Sequence, residues 1–483
     1  MNAKNILLLM VLVGFLWIQS LQAEIKLPAI VSSNMVLQRD TDVTLWGWAD
    51  PFENIFIESS WLPEKVNITA DSEGNWNVTV RTTLSKEAQS IKITSSSSNI
   101  FLENILFGEV WLCSGQSNMQ QPLSGYNGQP TFGGLMAVAN ASNSNLRLFT
   151  VHRKGTKLPL SDVDAYDGWE QASPSNVKEF SAVAYFFGEQ LQQILDVPVG
   201  LIHTSWGGSK VEAWISKEAM DNFQTVNLDD VDINKQTNHI PTALFNAMIN
   251  PLIPYTIKGA LWYQGESNRD NPSEYKERFP AMVKDWRSRW NIGDFPFYYV
   301  QIAPFLYGDN SAFEVSTNSA FIRETQLQCI DLIPNSGIAI TMDIGEAGCI
   351  HPAKKKEVAN RLLFNALHKT YGYETIDFSG PIFDSMLDSE EGLLLQFKNA
   401  EKGLYAFSDL NGFEIAGEDK VFYSANAKII NGNRVLVTCD QVKNPVAVRY
   451  AWRNWVHGSL FDTNLLPASS FRTDEWNDAK HAE

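Results

Sequence analysis

Cysteine is scarce in this chain: four in 483 residues, at Cys113, Cys329, Cys349 and Cys439. That scatter excludes a disulfide-built scaffold, and no C-x-x-C spacing offers a structural metal site. Buried free thiols are the expectation, with a Cys329–Cys349 bridge as the less favoured alternative. Positive charge is also short, with 38 Lys and Arg against 55 Asp and Glu and a formal charge of −17. Nucleic acids and anionic membranes are held by basic patches, so neither is an expected partner. Beyond the N-terminus no apolar run reaches the roughly 18 residues of a membrane-spanning helix. What is present suits packed cores: 44% of residues are hydrophobic and 12% aromatic. At roughly 150 residues per domain, the length predicts about three domains.

The N-terminus reads as a targeting segment. Lys4 supplies a positive start, Ile6 to Trp17 is almost purely apolar, and Ser20-Leu21-Gln22-Ala23 offers a small residue before Glu24. This is the pattern of a secretory signal peptide over 1–23, too short for a comfortable span. The mature chain is then secreted or periplasmic, and more acidic still. Asn67-Ile68-Thr69, Asn77-Val78-Thr79 and Asn140-Ala141-Ser142 match the glycosylation pattern but say nothing of the host.

Three textures follow. Over 24–104, short β-type runs (Val43 to Trp48, Ile55 to Ile57, Trp76 to Val80, Ile91 to Ile93) alternate with turn residues, predicting a small β-sandwich. Over 105–379 strands alternate with helical patterns. Phe180 to Leu195, Tyr275 to Trp290 and Glu357 to Leu367 read as helices; Val197 to Ile202, Phe297 to Ile302 and Ile338 to Met342 read as strands. The fold class is therefore α/β, a parallel sheet with its site at the carboxyl ends of the strands. Over 380–483 the pattern returns to β, with Asn431-Gly432 a hairpin signal.

Chemistry concentrates in the middle region. An apolar run to Cys113 meets Ser114-Gly115-Gln116-Ser117-Asn118-Met119, where glycine allows a sharp turn and Ser117 can project at the sheet's mouth. Thr204-Ser205-Trp206-Gly207-Gly208-Ser209 follows a second strand, and paired glycines allow backbone N–H groups to approach a ligand closely. Leu261 to Asn268, LWYQGESN, places Gln264 and Glu266 at a third strand end. An uncharged amide suits an oxyanion hole; a carboxylate can orient a base or a substrate hydroxyl. His351 precedes Pro352 in a loop before a helix. Taken singly, each is an ordinary turn, cap or surface residue. Together they supply a hydroxyl, a base able to deprotonate it near neutral pH, and donors for a developing anion.

The set GQSNM, SWGGS, WYQGESN and IHP resembles the sialate O-acetylesterase family, within the SGNH/GDSL hydrolase superfamily. Leu27 to Ile30, Asn34 to Gln38, Gly412 to Gly417 and Val448 to Trp452 are similar to that family's flanking β-regions, so the likeness spans nearly the whole mature chain. It implies an SGNH-type flavodoxin-like core flanked by N- and C-terminal β-sandwich-like regions. It also implies a carbohydrate acetyl ester hydrolase that needs no cofactor or metal. Ser117 matches the nucleophile and His351 the general base. The backbone N–H of Ser117, that of Gly208 (Gly207 second) and the Gln264 side chain match the oxyanion donors. Acetyl transfer to Ser117, then hydrolysis, is the implied course.

One position departs from the superfamily. Asp commonly stands three residues before the base, and here that residue is Gly348. Glu266, Asp343, Glu346 or a backbone carbonyl are the alternatives for orienting His351, and a Ser–His dyad stands level with a triad. The expected substrate is an O-acetylated sialic acid, with acetylated xylan or another acetylated glycan as runner-up. An anionic sugar calls for a local cation, and Lys210 and Arg269 are two examples among the Lys and Arg residues of the core. From another class, the flanking β-regions also fit a non-catalytic carbohydrate-binding protein. Oligomeric state is not legible.

Overall fold

The structure is a computed structural model that describes residues 24–165, 168–309, 311, 314–315 and 318–482. The expected signal peptide lies outside them. A mixed sheet runs through the middle of the chain. Six parallel strands form it: β1 (Asn99–Gly115), β2 (Asn143–Thr150), β3 (Val199–Ser205), β4 (Gly259–Tyr263), β5 (Phe297–Val300) and β6 (Ser336–Ala339), in the order β6-β5-β4-β1-β3-β2. A short antiparallel strand, Glu170–Ala172, closes the β2 edge.

The central strands are buried on both faces, and β3 and β4 expose no residue. That is why they read as continuous apolar runs rather than alternating ones. Along β1, alternate side chains serve two cores. Trp111 and Cys113 pack with α2 (Ala182–Leu195) and α5 (Lys355–Lys369). Val110 and Leu112 share the other core with α3 (Pro272–Trp290) and α4 (Ala320–Leu332). On that side Trp262 sits edge-on to Trp214 and Trp286 and stacked over Phe279.

Observed boundaries differ from expectation in instructive ways. Pro272 opens α3 three residues before Tyr275, because a proline loses no needed N–H in the first helical turn. The strand predicted over 338–342 instead spans Ser336–Ala339, and Thr341 and Met342 belong to the loop leading to His351. The expected division after Asn104 falls inside β1. Its first half pairs antiparallel with Gln89–Thr94, and its second half pairs with β3 and β4. One strand thus ties the N-terminal β-region to the core sheet.

Strands Asp42–Trp48 and Asn75–Arg81 pair antiparallel in the N-terminal region. The C-terminal region holds a four-stranded and a five-stranded sheet, and residues 431–433 turn between Asn426–Ile430 and Arg434–Thr438. Fully buried Arg323, on α4, donates to Ser470 Oγ and to the carbonyls of Ala451 and Arg453, joining that region to the core. All four cysteines are free, so the alternative Cys329–Cys349 bridge does not form. Among the described residues no helix is long and apolar enough to cross a membrane.

Candidate active site

Four strands deliver the motif residues to one end of the sheet. Gly115 closes β1 at φ +137°, and a Cβ there would stand 2.2 Å from the Tyr263 carbonyl oxygen, so only glycine fits. Gln116 donates its N–H to that same carbonyl, pinning the turn to β4. The short helix α1 (Ser117–Gln120) begins at once, with half-buried Ser117 as its first residue. The N–H of Ser117 has no protein acceptor among the described residues, as is normal in a first helical turn.

His351 lies in the loop between β6 and α5. Its Nε2 is 2.7 Å from Ser117 Oγ, and its Nδ1 is 2.5 Å from Gln129 Oε1. The carboxamide oxygen can only accept, so Nδ1 carries the proton and Nε2 presents its lone pair to the serine hydroxyl. Tyr126 contacts both members of the pair. Its hydroxyl donates to the Ser117 carbonyl at 3.1 Å, and its ring lies edge-on to the imidazole at 5.3 Å between centroids. Tyr126 and Gln129 exchange backbone hydrogen bonds across a tight turn with Gly128 at φ +72°. Burial, reinforced by the positive charge of Lys355, lowers the His351 pKa to about 4, so the imidazole is a neutral base at ordinary pH.

The glycine pair after β3 abuts Ser117: a Cβ on Gly207 would lie 3.4 Å from Ser117 Cβ. The Gly207 N–H is already given to Gln120 Oε1 at 2.7 Å. That of Gly208, which sits at φ +71°, has no protein acceptor among the described residues. The geometry therefore leaves Gly208, rather than Gly207, with a donor to offer a ligand.

Four expected roles do not fit this geometry. Gln264 is fully buried, and its amide donates to the Ser209 carbonyl at 3.0 Å and to Asn268 Oδ1 at 2.7 Å; both N–H groups are spent on the interior. None of the three acids reaches His351. Asp343 forms a bidentate pair with Arg361 at 2.8 and 2.7 Å. Glu346 accepts the Ala353 N–H at 2.8 Å, and Glu266 accepts from Asn118 at 2.5 Å. The position is filled instead by Gln129, which the sequence reading missed. Its only mark was the Asn127-Gly128 turn signal, and a neutral amide carries no catalytic signature. Arg269 stacks on the Tyr307 ring at 4.3 Å, and Lys210 is half-buried two residues past Gly208.

A hydroxyl hydrogen-bonded to a neutral imidazole, itself held by a third group beside free backbone N–H donors, is equipped for acyl transfer. Comparison with known proteins points to ester hydrolysis. Residues 108–358 match the family model described as "Carbohydrate esterase, sialic acid-specific acetylesterase". The chain belongs to the sialate O-acetylesterase family. It is a carboxylic ester hydrolase. The sialate O-acetylesterases of Pongo abelii and Homo sapiens are 28% and 27% identical to it, over 94% of this chain and 93% of theirs. A carbohydrate acetylesterase from Xanthomonas citri superposes with a TM-score of 0.84 at 33% identity, covering 94% of this chain and all of that one.

The structure of the esterase makes a prediction for Gln129. Replacing it by alanine frees the imidazole to turn, and kcat should fall on the order of 10²-fold, the scale of a small misplacement of reacting groups. Steady-state hydrolysis of p-nitrophenyl acetate measures it. Activity equal to wild type would remove Gln129 from the account.

Proposed function

We propose that this esterase removes O-acetyl groups from glycans, O-acetylated sialic acids first among them, through an acetyl-enzyme on Ser117. The 2.7 Å contact between Ser117 Oγ and His351 Nε2, with the Gly207-Gly208 turn packed against Ser117, carries the reading. Ser117 Oγ attacks the acetyl carbonyl while Nε2 takes its proton. The N–H groups of Ser117 and Gly208 receive the oxyanion, and the imidazolium protonates the departing sugar oxygen. Water, deprotonated by the same Nε2, then releases acetate and restores the serine. Gln129 holds the ring without adding negative charge, so the base stays weak.

The core is, on this reading, an SGNH-type flavodoxin-like domain with sandwich-like flanks. The order β3-β1-β4-β5-β6, which is 2-1-3-4-5 once edge strand β2 is set aside, supports it. Export after removal of residues 1–23 belongs to the same proposal and rests on the N-terminal pattern alone.

Sialates are favoured by the family match and by the names of the mammalian relatives. A broader acetylated-polysaccharide substrate is the second reading, supported by the Xanthomonas citri relative, a carbohydrate acetylesterase. Acetate release from a panel of O-acetylated sialosides and acetylated xylans separates them. Turnover of sialosides with higher kcat/KM is the expected result. Xylan turnover with no sialoside hydrolysed would move the assignment to the second reading, and no acetate from any ester would defeat both.

A further inference from the structure

Beneath the nucleophile lies a set of buried polar groups that no step above uses. Asn118, directly after Ser117, is fully buried. Its Nδ2 donates to Glu266 Oε1 at 2.5 Å and to the Ile350 carbonyl at 3.1 Å. Its Oδ1 accepts from the ammonium of Lys355. Ile350 directly precedes His351. One carboxamide, in a residue bonded to the nucleophile, therefore grips the residue bonded to the base.

Lys355 is the first residue of α5 and is fully buried, with its ammonium 5.7 Å from the centroid of the Tyr263 ring. Among the described residues it makes no direct ion pair. An ammonium withdrawn from water this far is costly, and an apolar side chain of similar volume would carry no such penalty. What the ammonium supplies here is direction. It has only donors to offer, so it fixes the Asn118 amide with its oxygen toward α5 and its N–H groups toward Glu266 and Ile350.

We propose that Lys355 is a positioning residue of the esterase: by holding the Asn118 carboxamide in a single orientation it keeps Ser117 and His351 in hydrogen-bond register. This rests on the reading of Ser117 and His351 as nucleophile and base. The same charge acts on the base. Groups facing Lys355 are Tyr263 and Glu266 at the end of β4, and Glu346 and Cys349 in the loop before His351. Those facing His351 are Ser117, Tyr126, Gln129 and Lys355. Burial lowers the Lys355 pKa to about 7, so it is still charged where His351 titrates, near 4. Loss of that charge eases protonation of His351, and the pH at which activity fails on acidification rises.

The test is the pH dependence of p-nitrophenyl acetate hydrolysis by Lys355→Met, Lys355→Gln, Asn118→Leu and the double variant Lys355→Met/Asn118→Leu. Lys355→Met should lower kcat by roughly 10-fold to 10²-fold with KM nearly unchanged, and should move the acid limb upward. In the double variant the kcat loss should not exceed that of Asn118→Leu alone, because both act through one amide. Lys355→Gln, with a neutral donor, should show the upward limb with a smaller loss of kcat. Should Lys355→Met not fold, Lys355→Gln carries the pH readout and Asn118→Leu the kcat readout. A folded Lys355→Met or Lys355→Gln enzyme with the wild-type acid limb overturns the proposal; so does wild-type kcat in Asn118→Leu, or losses that multiply in the double variant. Ser117→Ala, assayed alongside, separates the two levels. If it stays active the catalytic pair itself is wrong, whereas an inactive Ser117→Ala beside unaltered Lys355 variants refutes only the positioning role.

Discussion

Ser117→Ala is expected to lower kcat for acetyl ester hydrolysis by on the order of 10⁴- to 10⁶-fold, the scale at which serine hydrolases lose turnover without their nucleophile. The physical reason is that, among the described residues, no other hydroxyl is hydrogen-bonded to the His351 imidazole. Ser117 Oγ is the atom within 2.7 Å of His351 Nε2, at the start of a helix whose first N–H is free to face the oxyanion. The fold should survive the change. Among the described residues the side chain makes that one hydrogen bond, from a half-buried position, and losing such a bond costs about 1 kcal/mol. Thermal unfolding of the variant therefore checks that inactivity is chemical. Activity within tenfold of wild type would show that hydrolysis proceeds at another group.

His351→Ala should cost a comparable factor, and the two losses should not multiply. A nucleophile and its base act as one unit, so if Ser117 and His351 fill these proposed roles the double variant is expected to be no slower than the slower single variant. The base also sets a pH signature. As the proposed base His351 would work only when neutral, and burial with the nearby Lys355 charge holds its pKa at about 4. On acidification kcat/KM falls as pH drops through that pKa, because protonation removes the acceptor for the serine proton. Wild type measured in mildly acidic buffer should therefore keep most of its activity. The residual rate of His351→Ala should lack this limb. A wild-type limb near the ordinary histidine value would mean that the imidazole is more solvated than its surroundings indicate.

Much of this was legible in the chain, for definite reasons. Strands such as Val199–Ser205 are buried on both faces, so they read as apolar runs, and the turn that follows each is written in Gly, Ser and Asn. That grammar puts Ser117, Gly208 and His351 at the same end of the sheet. It could not place Gln129. The contact joining Gln129 to His351 spans 222 positions, and its geometry depends on a turn whose sequence resembles any other surface turn. The same blindness misplaced Gln264 and the three acids. Residue type suggested an oxyanion donor and an orienting carboxylate, but Asp343 is spent on Arg361, Glu346 on the Ala353 N–H, and Gln264 on Ser209 and Asn268. The boundary after Asn104 failed for another reason. β1 changes partners midway without interrupting its backbone, and a change of partner leaves no turn residue to read.

The most direct test of the account is to find where the acetyl group goes. Rapid acid quench of the enzyme during turnover of an activated acetyl ester, followed by peptide mass analysis, should recover acetyl on the peptide containing Ser117. None should form in Ser117→Ala. Acetyl on a different residue, or steady acetate release from Ser117→Ala at the wild-type rate, would contradict the central claim.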